Sequence, residues 1–155
     1  HAWGYIPGAK FKTPAKVIAI LSEIVAKGGC LALGVGPTPE GTIQPEVQKI
    51  LLNIGAWMNR NGEAIYNTVT TPHYNDGKTW FTASKNKKTL YAVYAIADGE
   101  TTPQTITWTV NKPKGKLVLL NTGKAVKYTT NGDKVTVKIP AGTKAEPLAF
   151  KFEKK

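Results

Sequence analysis

The chain has few of the residues that build disulfides and metal centres. Its 155 residues include one cysteine, Cys30, and two histidines, His1 and His73, which lie far apart in the sequence. A lone cysteine forms no internal disulfide, and none of these spacings is typical of a metal site. We therefore expect no metal and no cofactor, and we expect Cys30 to be a small core residue. No apolar run approaches the roughly 20 residues of a membrane-spanning helix, so no membrane partner is predicted.

Arginine is scarce as well, and this bears on the net charge of +11. Residues 1–78 carry seven basic and five acidic side chains, whereas residues 79–155 carry fourteen lysines and five acids. Arg60 is the only arginine, although phosphate and base recognition favours the forked guanidinium group. We therefore predict no nucleic-acid partner and interpret the lysines as solvated faces and protection of strand edges. Non-specific, salt-dependent binding of a polyanion is the remaining alternative.

The first half of the chain has a helical period on both sides of one apolar segment. Thr13 is a good N-cap and Pro14 suits a first helical position, which predicts a helix to Lys27. A second helix is predicted from near Pro45 to residues 59–62. Between them, Cys30–Val35 is predicted as a strand that is apolar on both faces, as in a parallel sheet, followed by a loop at 36–41. The predicted apolar faces are Val17, Ile20, Leu21, Ile24 and Val25, then Val47, Ile50, Leu51, Ile54, Trp57 and Met58.

After Thr68 the period changes to that of short strands. Residues 70–78 are polar and are predicted to be a linker. The alternation beyond them predicts a small antiparallel β-sandwich, with a tight turn at Asn131-Gly132-Asp133. The predicted strands are Trp80–Ala83, Thr89–Ala97, Thr105–Val110, Lys116–Leu120, Ala125–Thr130, Lys134–Ile139 and Leu148–Phe152. The predicted core is Trp80, Leu90, Ile106, Trp108, Leu117, Leu119, Val135, Val137, Phe150 and Phe152.

Five ordered blocks within residues 3–68 carry a family resemblance. They are Trp3-Gly4-Tyr5, Val25–Gly29, the segment Leu31–Ile43 with Gly36-Pro37 and Gly41-Thr42-Ile43, Ile54–Trp57, and Asn61–Tyr66. In order and spacing the chain resembles the C-terminal part of the α-L-fucosidases of glycoside hydrolase family twenty-nine. The resemblance implies a fold that is α/β followed by all-β. Residues 1–69 would be the terminal helix-strand-helix portion of a (β/α)8-like barrel, residues 70–78 a linker, and residues 79–155 a C-terminal β-sandwich.

The chain departs from the family pattern at two positions of the apolar segment. The family commonly reads Gly-Gly-Asn-x-Leu-Leu-Asn-Ile-Gly-Pro, and Cys30 and Gly34 stand where the two asparagines would be. An amide offers both a donor and an acceptor, whereas a thiol is a weak substitute and glycine has no side chain. The amide hydrogen bonds of the barrel mouth are therefore expected to be absent or relocated.

A retaining glycosidase needs two carboxyl groups about 5–5.5 Å apart. The resemblance implies that the nucleophile and the acid/base both precede this segment, so no catalytic residue is predicted here. Glu40 is interpreted as a turn residue, Glu46 as an acid that complements a helix dipole, and Glu63 as a local backbone acceptor. The barrel mouth would lie at Leu33–Pro39.

Trp3 is the candidate substrate-binding residue, because an aromatic face packs well on the C–H face of a sugar; a core position is the alternative. Leu31 or Leu33 could border the fucose methyl group, although packing in the barrel is the simpler interpretation. His73 and Tyr74 are predicted to be linker surface.

The predicted function is that of a fragment of a glycoside hydrolase resembling α-L-fucosidase, inactive alone, which acts in its parent by retaining hydrolysis of terminal α-L-fucosides. The predicted partners are a fucosylated glycan and the rest of the barrel, and an apolar edge at Cys30–Val35 predicts self-association. The resemblance implies a secreted, periplasmic or lysosomal parent. The alternative is a carbohydrate-binding or structural β-sandwich module, whose binding form requires an exposed row among Trp80, Tyr91, Tyr94, Trp108 and Tyr128.

Overall fold

The computed structural model describes residues 4–154, and side chains as far as Glu153. Two helices, a short 3-10 turn and nine strands follow one another along the chain. In α1 the Thr13 hydroxyl accepts a hydrogen bond from the Lys16 N–H at 3.2 Å, which confirms the predicted N-cap. The elements are α1 Pro14–Ala26, α2 Pro45–Asn61, the 3-10 turn Gly62–Ala64, β1 Thr68–Asp76, β2 Thr79–Ser84, β3 Thr89–Tyr94, β4 Thr105–Trp108, β5 Pro113–Leu119, β6 Lys124–Val126, β7 Tyr128–Asn131, β8 Lys134–Lys138 and β9 Leu148–Lys154.

The strands form two antiparallel sheets, which confirms the predicted sandwich. The larger sheet has the order β1-β2-β3-β9-β5-β6 and the smaller one the order β4-β8-β7. Ala125–Thr130, predicted as one strand, is divided at Lys127 into β6 and β7, which belong to different sheets. One face of the six-stranded sheet packs against the smaller sheet, and the other packs against α1, α2 and the 3-10 turn. The molecule therefore has three layers, with the larger sheet in the middle.

Two hydrophobic cores separate these layers. The core between the sheets is built around Trp108, whose ring lies 5.9 to 6.2 Å from three phenylalanine rings, those of Phe81, Phe150 and Phe152. The core between the larger sheet and the helices contains Ile18, Trp57, Tyr91 and Val93. Nine of the ten predicted core residues are buried, and Trp80 is the exception.

Trp80 was wrongly assigned because β2 is covered on both faces. Its cross-strand partner Val93 belongs to the helix-side core, whereas the neighbouring Phe81 points between the sheets. Trp80 therefore faces the helix layer near its edge, half-buried, with the Lys27 ammonium 5.3 Å from the ring centroid. Alternation in the sequence could not choose between two faces that are both apolar.

The predicted linker at 70–78 is also wrong, because most of it is strand. β1 pairs with β2 at Thr68–Thr70 and again at Asn75–Asp76, with an irregular stretch between that contains Pro72. An edge strand tolerates proline and a bulge, and its exposed side chains are polar. These features make an edge strand look like a loop in the sequence. His73 and Tyr74, which were predicted to be linker surface, are exposed residues of this strand.

The predicted strand at Cys30–Val35 is not formed. None of residues 30–35 belongs to a ladder, and Cys30 is exposed rather than in the core. A strand that is apolar on both faces needs neighbouring strands and covering layers. Every ladder among residues 4–154 lies in the antiparallel sheets further along the chain, so this segment has no strand to pair with. Its backbone instead forms one wall of an open groove.

Candidate functional site

An apolar groove of about 560 Å³ lies on the side of the helices that faces away from the sheets. Its floor is formed by side chains of both helices, including Val17 and Ile20 of α1 and Val47, Ile50 and Leu51 of α2. Two of the five residues of the predicted α1 face and three of the six of the predicted α2 face line this groove, whereas most of the others pack toward the larger sheet. On the sheet side of α1, Ile18 is buried in the helix-side core and Leu21 and Val25 pack against it. Ser22 is also buried, and its hydroxyl donates to the Ile18 carbonyl at 2.8 Å.

Two loop segments form the walls of this groove. They are the N-terminal segment Gly4–Lys12 and the segment Leu31–Gly36. The two segments touch at Gly36, where a Cβ atom would lie 2.5 Å from the Tyr5 nitrogen and 2.6 Å from the Gly4 carbonyl carbon. Only glycine permits this approach of one backbone to another. The structure therefore brings together two of the sequence blocks that carry the family resemblance.

Two of the three candidate sugar-facing residues, Leu31 and Leu33, lie on these walls. Trp3 lies outside the described residues, so its role stays a prediction. Leu31 is half-buried and Leu33 is 45% exposed, and both line the groove. The two positions of the missing amides, Cys30 and Gly34, are exposed. Among the described residues Cys30 is a free, exposed thiol, and whether the amide contacts are lost or relocated stays a prediction.

The structure places each of the three carboxylates that the sequence analysis discussed. The Thr38 hydroxyl donates to Glu40 and lowers the pKa of that carboxyl below its ordinary value, which confirms the turn interpretation. Glu46 lies in the first turn of α2, as predicted. Glu63 was wrongly interpreted as a local acceptor, because it accepts from the Lys151 ammonium at 2.7 Å and the Tyr91 hydroxyl at 3.3 Å. Burial, assisted by the Glu63 carboxylate, raises the pKa of Tyr91 to about 12, so Tyr91 stays a hydroxyl donor.

Most of the carboxylates within residues 4–154 are held by other side chains. Five of the ten acids form ion pairs with lysine or arginine: Glu23, Glu63, Glu100, Asp133 and Glu146. Asp76 and Asp98 instead accept from threonine side chains. No group of three or more histidine, cysteine, aspartate or glutamate side chains in the described chain could hold a metal ion. No aspartate, glutamate or histidine is among the described residues that line the groove, whose polar side chains are those of Tyr5, Lys10, Lys12 and Gln44.

A polar clamp fixes α2 to the sandwich. The Trp57 indole N–H donates to the Pro147 carbonyl at 2.8 Å, and Arg60 pairs with Glu146 at 2.8 Å. Burial alone would raise the pKa of Glu146, but hydrogen bonds from Asn121, Arg60 and Lys144 outweigh it and hold that pKa below its ordinary value. Because these contacts join residues almost ninety positions apart, the groove and the sandwich are parts of one packed structure.

The aromatic side chains do not form an exposed row. Trp108 and Tyr91 are buried, while Trp80, Tyr94 and Tyr128 are half-buried. Trp108 and Tyr91 also point to opposite sides of the larger sheet, since they belong to different cores. A flat aromatic platform for a sugar chain is thus absent from these five residues. In the described part of the chain no helix has the length and apolar character needed to cross a bilayer.

We expect alanine at position 36 to separate the two walls of the groove. The new methyl group would meet backbone atoms of Gly4 and Tyr5, which cannot move aside as a side chain can. Hydrogen–deuterium exchange should rise about tenfold in segment 4–12, since its local opening would become more favourable by about 1.4 kcal/mol.

The matched control is Gly55→Ala on α2, where the added Cβ meets nothing within 4 Å. Alanine there should leave exchange in segment 4–12 unchanged and stabilise the helix by up to about 1 kcal/mol. Equal exchange in the two variants would contradict the close contact at Gly36.

Comparison with known proteins gives one consistent result. A family model described as alpha-L-fucosidase matches residues 1–63. Plasma alpha-L-fucosidase of Rattus norvegicus is 32% identical over 145 residues, which cover 77% of this chain and 32% of that protein. The chain thus spans about a third of the length of this curated relative.

Solved structures agree with the sequence comparison. Alpha-L-fucosidase isoenzyme 1 from Paenibacillus thiaminolyticus matches with a TM-score of 0.81 and 27% identity, covering 100% of this chain and 38% of that one. A GH29 alpha-L-fucosidase from Bacteroides thetaiotaomicron, solved as a trapped covalent intermediate with 2-fluoro-fucosyl fluoride, matches with a TM-score of 0.78 and 28% identity. That match covers 99% of this chain and 36% of that enzyme.

Proposed function

We propose a role for this chain on the premise that it belongs to the α-L-fucosidases of glycoside hydrolase family twenty-nine, as their C-terminal part. The chain contributes the last wall of the catalytic barrel and the β-sandwich that supports this wall. Residues 1–69 form the barrel portion, and the sandwich is the unit that follows. The complete enzyme removes terminal α-L-fucosyl groups from glycans.

One observation carries this proposal. The match to a fucosidase structure covers 100% of this chain, and seven of its ten carboxylates are held in ion pairs or by threonine hydroxyls. Because a retaining glycosidase needs two carboxyl groups about 5–5.5 Å apart, both must come from the part of the family fold that this chain does not span. The covalent intermediate in the Bacteroides enzyme supports a retaining mechanism with an enzyme nucleophile.

The groove is the surface on which we place the rest of the barrel. It carries five apolar side chains of α1 and α2 together with the walls at Gly4–Lys12 and Leu31–Gly36. In a barrel these side chains are covered by the neighbouring strands and helices, and the loops after the strands form the active-site mouth. Trp3, which precedes the first wall in the sequence, would then face the sugar. The parent enzyme would act in a secreted, periplasmic or lysosomal compartment, where fucosylated glycans are met.

A chimera tests this role directly. The matching C-terminal part of the Paenibacillus enzyme is replaced by this chain, and hydrolysis of an aryl α-L-fucoside is measured. We expect turnover by the chimera and none by the isolated 155-residue chain.

The Gly36→Ala chimera is the diagnostic variant, because this substitution disturbs a wall that lies at the proposed mouth. Its kcat/KM should fall at least about tenfold, which corresponds to an increase of about 1.4 kcal/mol in the activation barrier. Gly55→Ala serves as the control and should leave kcat/KM unchanged. A folded but inactive chimera would refute the proposed role, as would turnover by the isolated chain.

A further inference from the structure

The outward side of the three-stranded sheet is polar, basic and free of acids. Strand register places Thr105 beside Lys138 and Thr107 beside Thr136 on one side of β8, and Thr129 beside Thr136 and Asn131 beside Lys134 on the other. Lys127 extends this pattern, because its carbonyl accepts from the Lys138 N–H at 2.9 Å. We call this surface the threonine–lysine face, and its members are Thr105, Thr107, Lys127, Thr129, Asn131, Lys134, Thr136 and Lys138.

All of these side chains are exposed except Thr136, which is half-buried. The residues that alternate with them on β4 and β8 are buried between the two sheets, so the polar side chains all lie on the outward side of the smaller sheet. These buried residues are Ile106, Trp108, Val135 and Val137. A layer of threonine hydroxyls crosses all three strands at Thr107, Thr136 and Thr129, with lysines beyond it at either end of β8. At about 3.3 Å per residue, Lys134 and Lys138 lie about 13 Å apart along the strand.

Protection of a sheet edge does not explain these lysines. β8 is the central strand of its sheet, with β4 and β7 on either side, so Lys134 and Lys138 do not shield an unpaired edge. Lys127 and Lys138 are also cross-strand neighbours of like charge, an arrangement that destabilises a sheet. Among the ion pairs of the described residues, none involves Lys127, Lys134 or Lys138. The nearby turn acid Asp133 is paired instead with Lys112 at 2.8 Å.

We infer that the threonine–lysine face binds an acidic polysaccharide, a glycan chain that carries sulfate or carboxylate groups. The lysines supply positive charges for the anionic groups, and the threonine hydroxyls can both donate to and accept from sugar hydroxyls. This surface is separate from the groove, because the six-stranded sheet lies between the two. The inference therefore goes beyond the proposed hydrolase role, and it gives the molecule a second glycan contact that needs no catalysis.

Other polyanions fit the face less well. Bases of a single-stranded nucleic acid require aromatic platforms, and Trp108 and Tyr128 lie in or against the core between the sheets. Arginine is absent from the face, since Arg60 pairs with Glu146. An anionic membrane would favour apolar side chains among the lysines, and the face presents none.

Binding is measured by titrating the full 155-residue chain into labelled dextran sulfate, labelled alginate and neutral labelled dextran, with a poly-dT oligonucleotide and anionic vesicles as competitors. We expect the sulfated or the carboxylated chain to bind and neutral dextran not to bind. The tighter of the two acidic chains identifies the preferred charged group. A Lys127→Gln, Lys134→Gln, Lys138→Gln variant should bind about tenfold more weakly. The slope of its log affinity against log salt should be smaller by about 2, by analogy with single-stranded polyanions.

The control removes the same charge from another cluster. Lys85, Lys87 and Lys88 lie exposed around the β2–β3 turn, and their triple change to glutamine should alter affinity less than twofold. A Thr107→Ala, Thr129→Ala variant keeps every charge and should still weaken binding. Three results would overturn the inference. They are equal losses of affinity in the two lysine variants, tighter binding of poly-dT or vesicles than of the acidic polysaccharides, and no binding of either acidic polysaccharide at low salt. None of these results depends on hydrolysis, so they are independent of the chimera experiment.

Discussion

Replacing Trp57 by alanine is expected to destabilise the chain by about 3–5 kcal/mol, the range for truncation of a large buried aromatic side chain. Trp57 is 1% exposed and packs in the core between the helices and the larger sheet. Its indole N–H also donates to the Pro147 carbonyl at 2.8 Å, so alanine leaves a cavity and removes one of two donors to that carbonyl, the other being the Asn121 amide at 3.0 Å. Urea unfolding followed by circular dichroism measures the change.

Two further variants separate the contribution of Trp57 packing from that of its hydrogen bond and provide a surface control. Trp57→Phe keeps most of the packing but loses the donor, and it should cost about 1–3 kcal/mol. Leu52→Ala, on the same helix but 74% exposed, should change stability by less than about 0.5 kcal/mol. If Trp57→Ala were as mild as Leu52→Ala, α2 would not be fixed to the sandwich in the way the structure describes.

The second large effect is expected at Trp108. Its ring is 1% exposed and contacts Phe81 edge-on and Phe152 face-on, which makes it the centre of the core between the two sheets. Trp108→Ala should cost about 3–5 kcal/mol by cavity formation, and loss of the aromatic contacts adds to this. The ring contributes nothing to the outer surface. A Trp108→Phe variant that still folds should therefore bind acidic polysaccharides as the unchanged chain does.

Thr107→Ala is the matched control for stability, because Thr107 is the exposed neighbour on the same strand. It should shift the unfolding midpoint only slightly. A strong loss of glycan binding in the folded Trp108→Phe variant, without a loss of stability, would instead assign this tryptophan to a binding surface.

Local signals in the sequence were enough for the helices and for most of the sandwich. The Thr13 cap, the proline at position 14 and the apolar spacing all act within a few residues, so they predicted α1 and α2 closely. The residues pointing between the sheets alternate with polar ones along β4 and β8, which made Ile106, Val135 and Val137 recognisable. Where one face of a strand meets solvent, the period of two is easy to read.

The failures arise where a residue's surroundings come from distant parts of the chain. Trp80 was misplaced because β2 is covered by helices on one face and by a sheet on the other. The segment at Cys30–Val35 has the composition of a buried strand but no neighbouring strand among residues 4–154. The clamp was missed for the same reason, since Trp57 and Pro147 are 90 positions apart and no local pattern relates them.

The position of β9 has a consequence for the order in which the molecule can assemble during synthesis. The strand contributed by residues 148–154 pairs with β3 on one side and β5 on the other, so it joins the two halves of the larger sheet. Until it has left the ribosome, β1–β3 and β5–β6 are separate ribbons with unpaired inner edges. Closure of the larger sheet therefore waits for residues 148–154 and depends on long-range pairing, which makes it slow and leaves those edges exposed in the interval.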